Sequence, residues 1–221
     1  KLTLIGGKPG LGKSQLTTFI AAAVGNRGGC WPCDEGRARQ GNVVIFSAED
    51  GIADTIVPRL ISVRADRRRI EIVAGVTDTS GRKTFNLKAD IDLLETKVKE
   101  VGDVRLIIID PISAYMGNVD GNGNVETRVV LEPIADMANR LGIAVVAVTH
   151  LNKGSVGTQG AMERFAGSIA FVAAARAGFV IIEDDENEGR LLFLRVKNNI
   201  APKQKGLAFR FEQQLIDGGL V

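Results

Sequence analysis

Short apolar runs rich in β-branched residues alternate along the chain with longer stretches whose apolar positions recur at helical spacing. The runs Leu2–Gly6, Asn42–Ser47, Ile70–Ala74, Val104–Asp110, Ile143–Thr149, Gly178–Glu183, Leu191–Lys197 and Leu207–Phe211 predict strands, and Lys13–Val24, Ile52–Val63, Lys88–Val101 and Glu126–Leu141 predict helices. Two of the strands, built on Leu106-Ile107-Ile108-Ile109 and Ala144-Val145-Val146-Ala147-Val148, are apolar on both faces. Such strands lie at the centre of a parallel sheet covered by helices on both sides. The alternation therefore predicts an α/β fold with a mostly parallel, doubly wound central sheet. Little helix separates the last three strand candidates, which predicts an antiparallel extension in the C-terminal third. No internal repeat, low-complexity tract or Pro/Ser-rich linker interrupts the pattern, so residues 1–221 read as one domain.

Composition narrows the function classes. With 28 Lys+Arg against 26 Asp+Glu the net charge is +2, which excludes a globally basic nucleic-acid binder and makes any DNA contact local. The 2 cysteines cannot form a disulfide framework and point to a reducing, cytoplasmic setting. No run is long enough to span a membrane and no signal-peptide layout is present, so no membrane partner is expected. A chain that opens on Lys1, directly at an apolar run, reads as excised from a longer one.

The strongest chemical signal follows the first strand. Gly7-Lys8-Pro9-Gly10-Leu11-Gly12-Lys13-Ser14 satisfies G-x-x-x-x-G-K-[ST], with a strand before it and a helix after it. Glycines let backbone N–H groups wrap a phosphate, and the helix N-terminus adds favourable partial charge. Residues Gly7 to Gln15 are thus expected to bind a nucleoside triphosphate, ATP. Lys13 would reach the β- and γ-phosphates, and Ser14 would ligate Mg²⁺.

In open α/β sheets ligands sit beyond the carboxyl ends of the strands, and three further predicted strands end in polar residues. Asp110 follows four aliphatic residues, as a Walker B aspartate does, and would hold the Mg²⁺ shell with Ser14. Its successor is Pro111, so no general base is supplied there. Glu49, leaving the strand Asn42–Ser47, fills that role by orienting and deprotonating the attacking water, with Asp50 as the rival candidate. His150, the only histidine, ends its strand beside Thr149 and Asn152 and is assigned γ-phosphate sensing over a purely structural role.

Two other motifs carry less. Cys30-Trp31-Pro32-Cys33 fits C-x-x-C but lies in a loop without the βαβ context of a redox site, and 1 His with no second Cys pair makes a four-ligand zinc site unreachable without carboxylates. Asp120, Asn122 and Asn124 imitate the start of a calcium loop, but Val125 stands where Gly is needed and Leu131 where the bidentate Glu belongs, so calcium binding is rejected. The cluster Arg64, Arg67-Arg68-Arg69 reads as a solvated face or subunit contact.

The phosphate loop, Ser47-Ala48-Glu49-Asp50, Ile109-Asp110-Pro111, Thr149-His150-Leu151-Asn152-Lys153 and Ala173-Ala174-Ala175-Arg176 occur in the order found in RecA-like P-loop ATPases. The chain most resembles the RepA-type hexameric replicative helicases of plasmids, a branch near the DnaB helicases. The resemblance spans essentially the whole chain and implies a single RecA-like ATPase domain hydrolysing ATP with Mg²⁺ in a homo-oligomeric ring, expected to be a hexamer, on single-stranded DNA. It also implies that Lys13, Glu49 and His150 act in catalysis, His150 coupling phosphate state to a DNA loop, and that Arg176 is an arginine finger inserted into a neighbouring subunit. DnaB-like relatives carry Lys-x-Arg on a late strand where this chain has Lys197-Asn198-Asn199, so the trans role falls to Arg176, with Arg195 and Lys197 as alternatives. The resemblance further implies that the segment Gly154–Gly160 lines the channel, with Lys153 and Arg164 contacting DNA phosphates. A second polar, Gly-rich loop, Gly117–Asn124, does not read as packed. Two other functions stay in view: a KaiC-like regulatory or assembly ATPase without a DNA role, and a small-molecule P-loop kinase, for which no Arg-rich lid is visible.

Overall fold

The computed structural model describes residues 1–78, 81–117, 124–150, 169–200, 202, 205–216 and 219–220. Its main sheet contains β1 (Leu2–Gly7), β2 (Asn42–Ser47), β3 (Ile70–Val73), β6 (Val104–Asp110), β7 (Ala144–His150), β8 (Ala177–Glu183), β9 (Leu191–Asn198) and β10 (Leu207–Phe209). The spatial order is β10-β9-β8-β1-β7-β6-β2-β3. From β8 to β3 all neighbours are parallel; β9 and β10 are antiparallel. The predicted antiparallel extension therefore starts one strand later than expected. β8 follows directly on a short helix, α5 (Ile169–Ala174), and that crossover returns it parallel to β1. The small hairpin of β4 (Val76–Asp78) and β5 (Gly81–Lys83), and the pair β11 (Leu215–Ile216) and β12 (Gly219–Leu220), were not predicted; strands this short carry too few residues to show a period.

Alternation along the central strands divides the core in two. Val44, Phe46, Ile107, Ile109, Val145 and Ala147 point to the side covered by α3 (Ile91–Val101), α4 (Asn124–Arg140) and α5. Val43, Ile45, Leu106, Ile108 and Val146 point to the other side, where α1 (Lys13–Gly25) supplies Ala21, Ala23 and Val24. Both faces of β6 are thus buried, which is why its sequence shows no polar alternation.

Two helices start later than their apolar period suggests. The predicted helix Ile52–Val63 is a wide π-type turn at Ile52–Ile56 followed by α2 (Val57–Ser62). Pro58 has no N–H to give, and it sits at the opening of the new helix, where none is needed. Before α3, the Asn86 side chain accepts from the backbone N–H of Lys88 and Ala89, while Asp90 accepts from the N–H of Asn86. These local bonds take the place of helical ones, so the helix opens at Ile91 and not at Lys88.

On the outer surface Glu95 of α3 accepts both guanidinium N–H groups of Arg140 on α4, at 2.8 and 2.6 Å, and an ammonium proton of Lys99 at 2.9 Å. Chiefly through Arg140, these bonds hold the Glu95 carboxyl at about 2, against 4.5 for an ordinary glutamate. A folded-state value below the unfolded one stabilises the fold above the unfolded pKa, and that contribution disappears as pH falls from 4.5 toward 2. Glu95→Gln should therefore flatten the fall of stability across that window, measured by denaturant unfolding at successive pH values. Identical pH slopes for variant and parent would show that the clamp does not act.

Candidate active site

β1 ends at Gly7 and α1 begins at Lys13, with residues 8–12 crossing between them. Each glycine of the loop has a distinct use. A Cβ on Gly7 would lie 2.9 Å from the Ile181 carbonyl oxygen of β8, so the bare backbone permits that close strand contact. Gly10 and Gly12 have φ of +83° and +67°, a region costly for residues with a Cβ. Lys8, Pro9 and Gly10 are exposed, while Leu11 is buried in the α1-side core and anchors the loop. The first turn of α1 contains no acidic residue, so its N–H groups and positive dipole end face the loop without an internal anion.

Lys13 is 4% exposed, and its ammonium donates to the carbonyl oxygens of Gly7 at 3.1 Å and Lys8 at 2.7 Å. Burial pushes its pKa down, against the attraction of Asp110 and Glu49, which pulls it up. Asp110, at the carboxyl end of β6, accepts a hydrogen bond from the Ser14 hydroxyl at the start of α1. Burial raises the Asp110 pKa most; the Ser14 bond opposes that rise, Asp50 and Glu49 add to it, and Lys13 lowers it. In both residues desolvation outweighs the opposite charge nearby. Tyr115, 5% exposed, has its hydroxyl pushed up to about 12 by burial and by Asp110. The Asp110–Pro111 peptide bond is cis.

Glu49 follows β2, and its carboxylate lies 3.8 Å from Nε2 of His150 at the end of β7. The Glu49 side chain is 62% exposed; His150 has a buried Nδ1 with no hydrogen-bond partner among the described residues. Asp50 is engaged elsewhere: its carboxylate accepts from Arg59 of α2 at 2.5 Å. Adjacent side chains thus part, Glu49 toward His150 and Asp50 toward α2. The side-chain amide of Gln15 turns to α2 as well, donating to Ser62 Oγ at 3.5 Å.

Lys13, Ser14, Glu49, Asp110 and His150 meet at one rim of the sheet. Arg176 does not join them. Its backbone N–H donates to the Leu2 carbonyl, at the opposite end of β1. With 6 residues in β1 at about 3.3 Å each, Arg176 stands about 16 Å from Gly7, farther than an arginine side chain extends. Lys197 lies at the same far end, opposite Gly178 on β9, and its ammonium caps α5 by donating to the carbonyls of Val172 and Ala173 at 2.8 and 2.9 Å. Burial, then Arg176 and Arg128, lower its pKa. Arg195 donates to the Pro202 carbonyl at 3.1 Å. Lys153 and Arg164 lie outside the described residues, as do most of the loop Gly117–Asn124 and all of Gly154–Gly160. In the cysteine loop, Cys30 is exposed and its backbone pairs with that of Arg37, while Trp31 packs against the α1-side core.

Sequence reasoning passed over Arg59 and Tyr115. Arg59 stands in a helix with nothing local to mark its partner. Tyr115 was readable only as one more core aromatic, since its neighbour Asp110 comes from the strand end before it.

Comparisons with known proteins agree with this layout. The sequence profile of the family described as AAA domain matches residues 1–156. Among solved structures, one described as the ATPase domain of a larger protein superposes with a TM-score of 0.67 at 13% identity, covering 100% of this chain and 84% of that one. A DnaB-like replicative helicase, whose structure describes its interactions with primase, gives the same TM-score of 0.67 and 13% identity; this chain covers 58% of its length. At that identity the likeness is one of fold, and the fold is RecA-like. No curated protein matches the chain in sequence.

Gly12→Ala tests the loop geometry directly. The positive φ alone should cost roughly 1–2 kcal/mol in denaturant unfolding. Gly10→Ala has the same strain with nothing within 4 Å of its new Cβ, whereas the Gly12 Cβ would overlap the Phe211 ring. Gly12→Ala should therefore be the more destabilising of the two; equal stability of both variants with the parent would contradict the loop geometry.

Proposed function

Because the chain belongs to the AAA-domain family, we propose that it is the ATP-hydrolysing motor domain of a RepA-type replicative DNA helicase, of a plasmid, phage or integrated element. One observation carries the reading: five chemistry-bearing residues, from the loop after β1 and from the ends of β2, β6 and β7, converge on one rim. The far end of the sheet holds Arg176, beyond reach of its own loop.

The residues fit their ligands chemically. The backbone N–H groups of residues 8–14, the N-terminus of α1 and the Lys13 ammonium bind the triphosphate. Ser14 Oγ and the Asp110 carboxylate, already in contact, are hard oxygen donors suited to Mg²⁺. That ion, when bound, neutralises charge on the β- and γ-phosphates. Lys13 and Asp110 each have burial working against their charge, and each gains a compensating partner when phosphate and cation arrive.

Hydrolysis follows by in-line displacement. Glu49 accepts a proton from water as the water oxygen bonds to the γ-phosphorus, and the bond from that phosphorus to the β,γ-bridging oxygen breaks. The products are ADP and inorganic phosphate. His150, 3.8 Å from Glu49, reports whether the γ-phosphate is present and passes that state to the segment following β7, where Lys153 and Arg164 contact single-stranded DNA. Arg176 completes a neighbouring subunit's site. A contact in which one end of the sheet meets the other is heterologous and closes into a ring, a hexamer in this reading.

Glu49→Gln should bind ATP with near-parental affinity while turnover falls by roughly 100-fold or more, the scale of a lost general base. Lys13→Ala should lose nucleotide binding itself. Single-stranded DNA should raise the parental rate. Normal hydrolysis by Glu49→Gln would overturn the base assignment, and an active ring that neither binds nor responds to DNA would make the chain a regulatory ATPase.

A further inference from the structure

A large apolar side chain lies exposed beside the phosphate loop without serving the core. Phe211 is 43% exposed, yet the edge of its ring is so close to the loop that a Cβ on Gly12 would overlap Cε2 and sit 2.6 Å from Cζ. Gly12 thus has two reasons to be glycine: its positive φ, and the ring resting where a side chain would be.

The chain brings Phe211 there by a definite route. β10 ends at Phe209, which packs on the α1-side core together with Phe193 and Leu191 of β9. Two residues on, Phe211 stands edge-to-face with Phe209, the centroids 5.3 Å apart and the planes at 81°. The segment then continues to Leu215–Ile216, which packs against α2. Residues 209–216 therefore run from the sheet edge across the N-terminal end of α1. Phe209 fixes the position of Phe211, and Phe211 keeps nearly half its surface toward solvent at the mouth of the loop.

A nucleotide held by its phosphates at this loop must place its base somewhere near the N-terminal turns of α1, and a base is a flat, uncharged ring that an aromatic face receives well. Building on the nucleotide-binding reading above, we propose that Phe211, backed by Phe209, is the platform on which the base of the bound nucleoside triphosphate stacks. A phenyl ring offers no hydrogen-bond donor or acceptor. The platform therefore grips purines through their stacking area and does not by itself tell adenine from guanine.

The test compares binding of ATP, GTP and the base-free probe tripolyphosphate, each with Mg²⁺, to the parent, Phe211→Ala, Phe211→Trp and Lys13→Ala. Phe211→Ala should weaken ATP and GTP alike, by roughly 5- to 150-fold, and leave tripolyphosphate within about twofold of the parent. Phe211→Trp should restore nucleotide affinity. Equal loss for nucleotide and tripolyphosphate would make the ring a prop for the loop and overturn the proposal, as would unchanged affinity for all three. The underlying reading fails separately, if the parent binds none of the three ligands or if Lys13→Ala binds them as the parent does. Thermal unfolding of Phe211→Ala should stay close to the parental value, since the ring is not buried.

Discussion

The backbone ladder that ties β1 to β7, β7 to β6 and β6 to β2 sets the level at which each strand leaves the sheet. Gly7 pairs with His150, Ile109 with Ala147, and Asp110 with Ser47. A slip of one residue in any of these pairs would turn the strand's apolar side chains to the wrong face and carry its terminal polar residue away from the others. The two-sided core forbids such slips, because both faces of β6 are filled, with Leu106 and Ile108 on one side and Ile107 and Ile109 on the other. Packing of aliphatic side chains thus fixes the site to within a residue, although none of those side chains touches it.

At that rim the fold works against its own charges. Lys13 is turned back on two carbonyl groups of its own loop, and burial disfavours both its ammonium and the Asp110 carboxylate. A site whose charges are underserved in the free chain gains most when an anion and a cation bind. Asp50, by contrast, has its partner in Arg59 and little to gain. This difference separates Glu49 and Asp50, which neighbouring positions in the sequence could not.

The central strands and α1 were legible because continuous aliphatic runs and a glycine-rich loop before a helix have few other structural uses. The phosphate loop, Asp110 and His150 were legible for the same reason: each stands where an apolar run stops. What was not legible depended on partners distant in sequence. Arg59 acquires its meaning from Asp50, Phe211 from Gly12, and the parallel direction of β8 from its place beside β1. Local chemistry also hid the late start of α3, where Asn86 and Asp90 replace helical bonds that the apolar period alone would predict.

The two ends of the sheet divide the labour, with phosphate chemistry at one and the cations Arg176 and Lys197 at the other. A chain so arranged holds an incomplete site until another copy brings its far end to the loop. The most direct measurement is the rate of ATP hydrolysis per chain as a function of chain concentration, read beside oligomer size by sedimentation. The rate should be very low for the monomer and rise to a plateau as the oligomer forms. A rate per chain that is the same for monomer and oligomer would contradict this division of the site between copies.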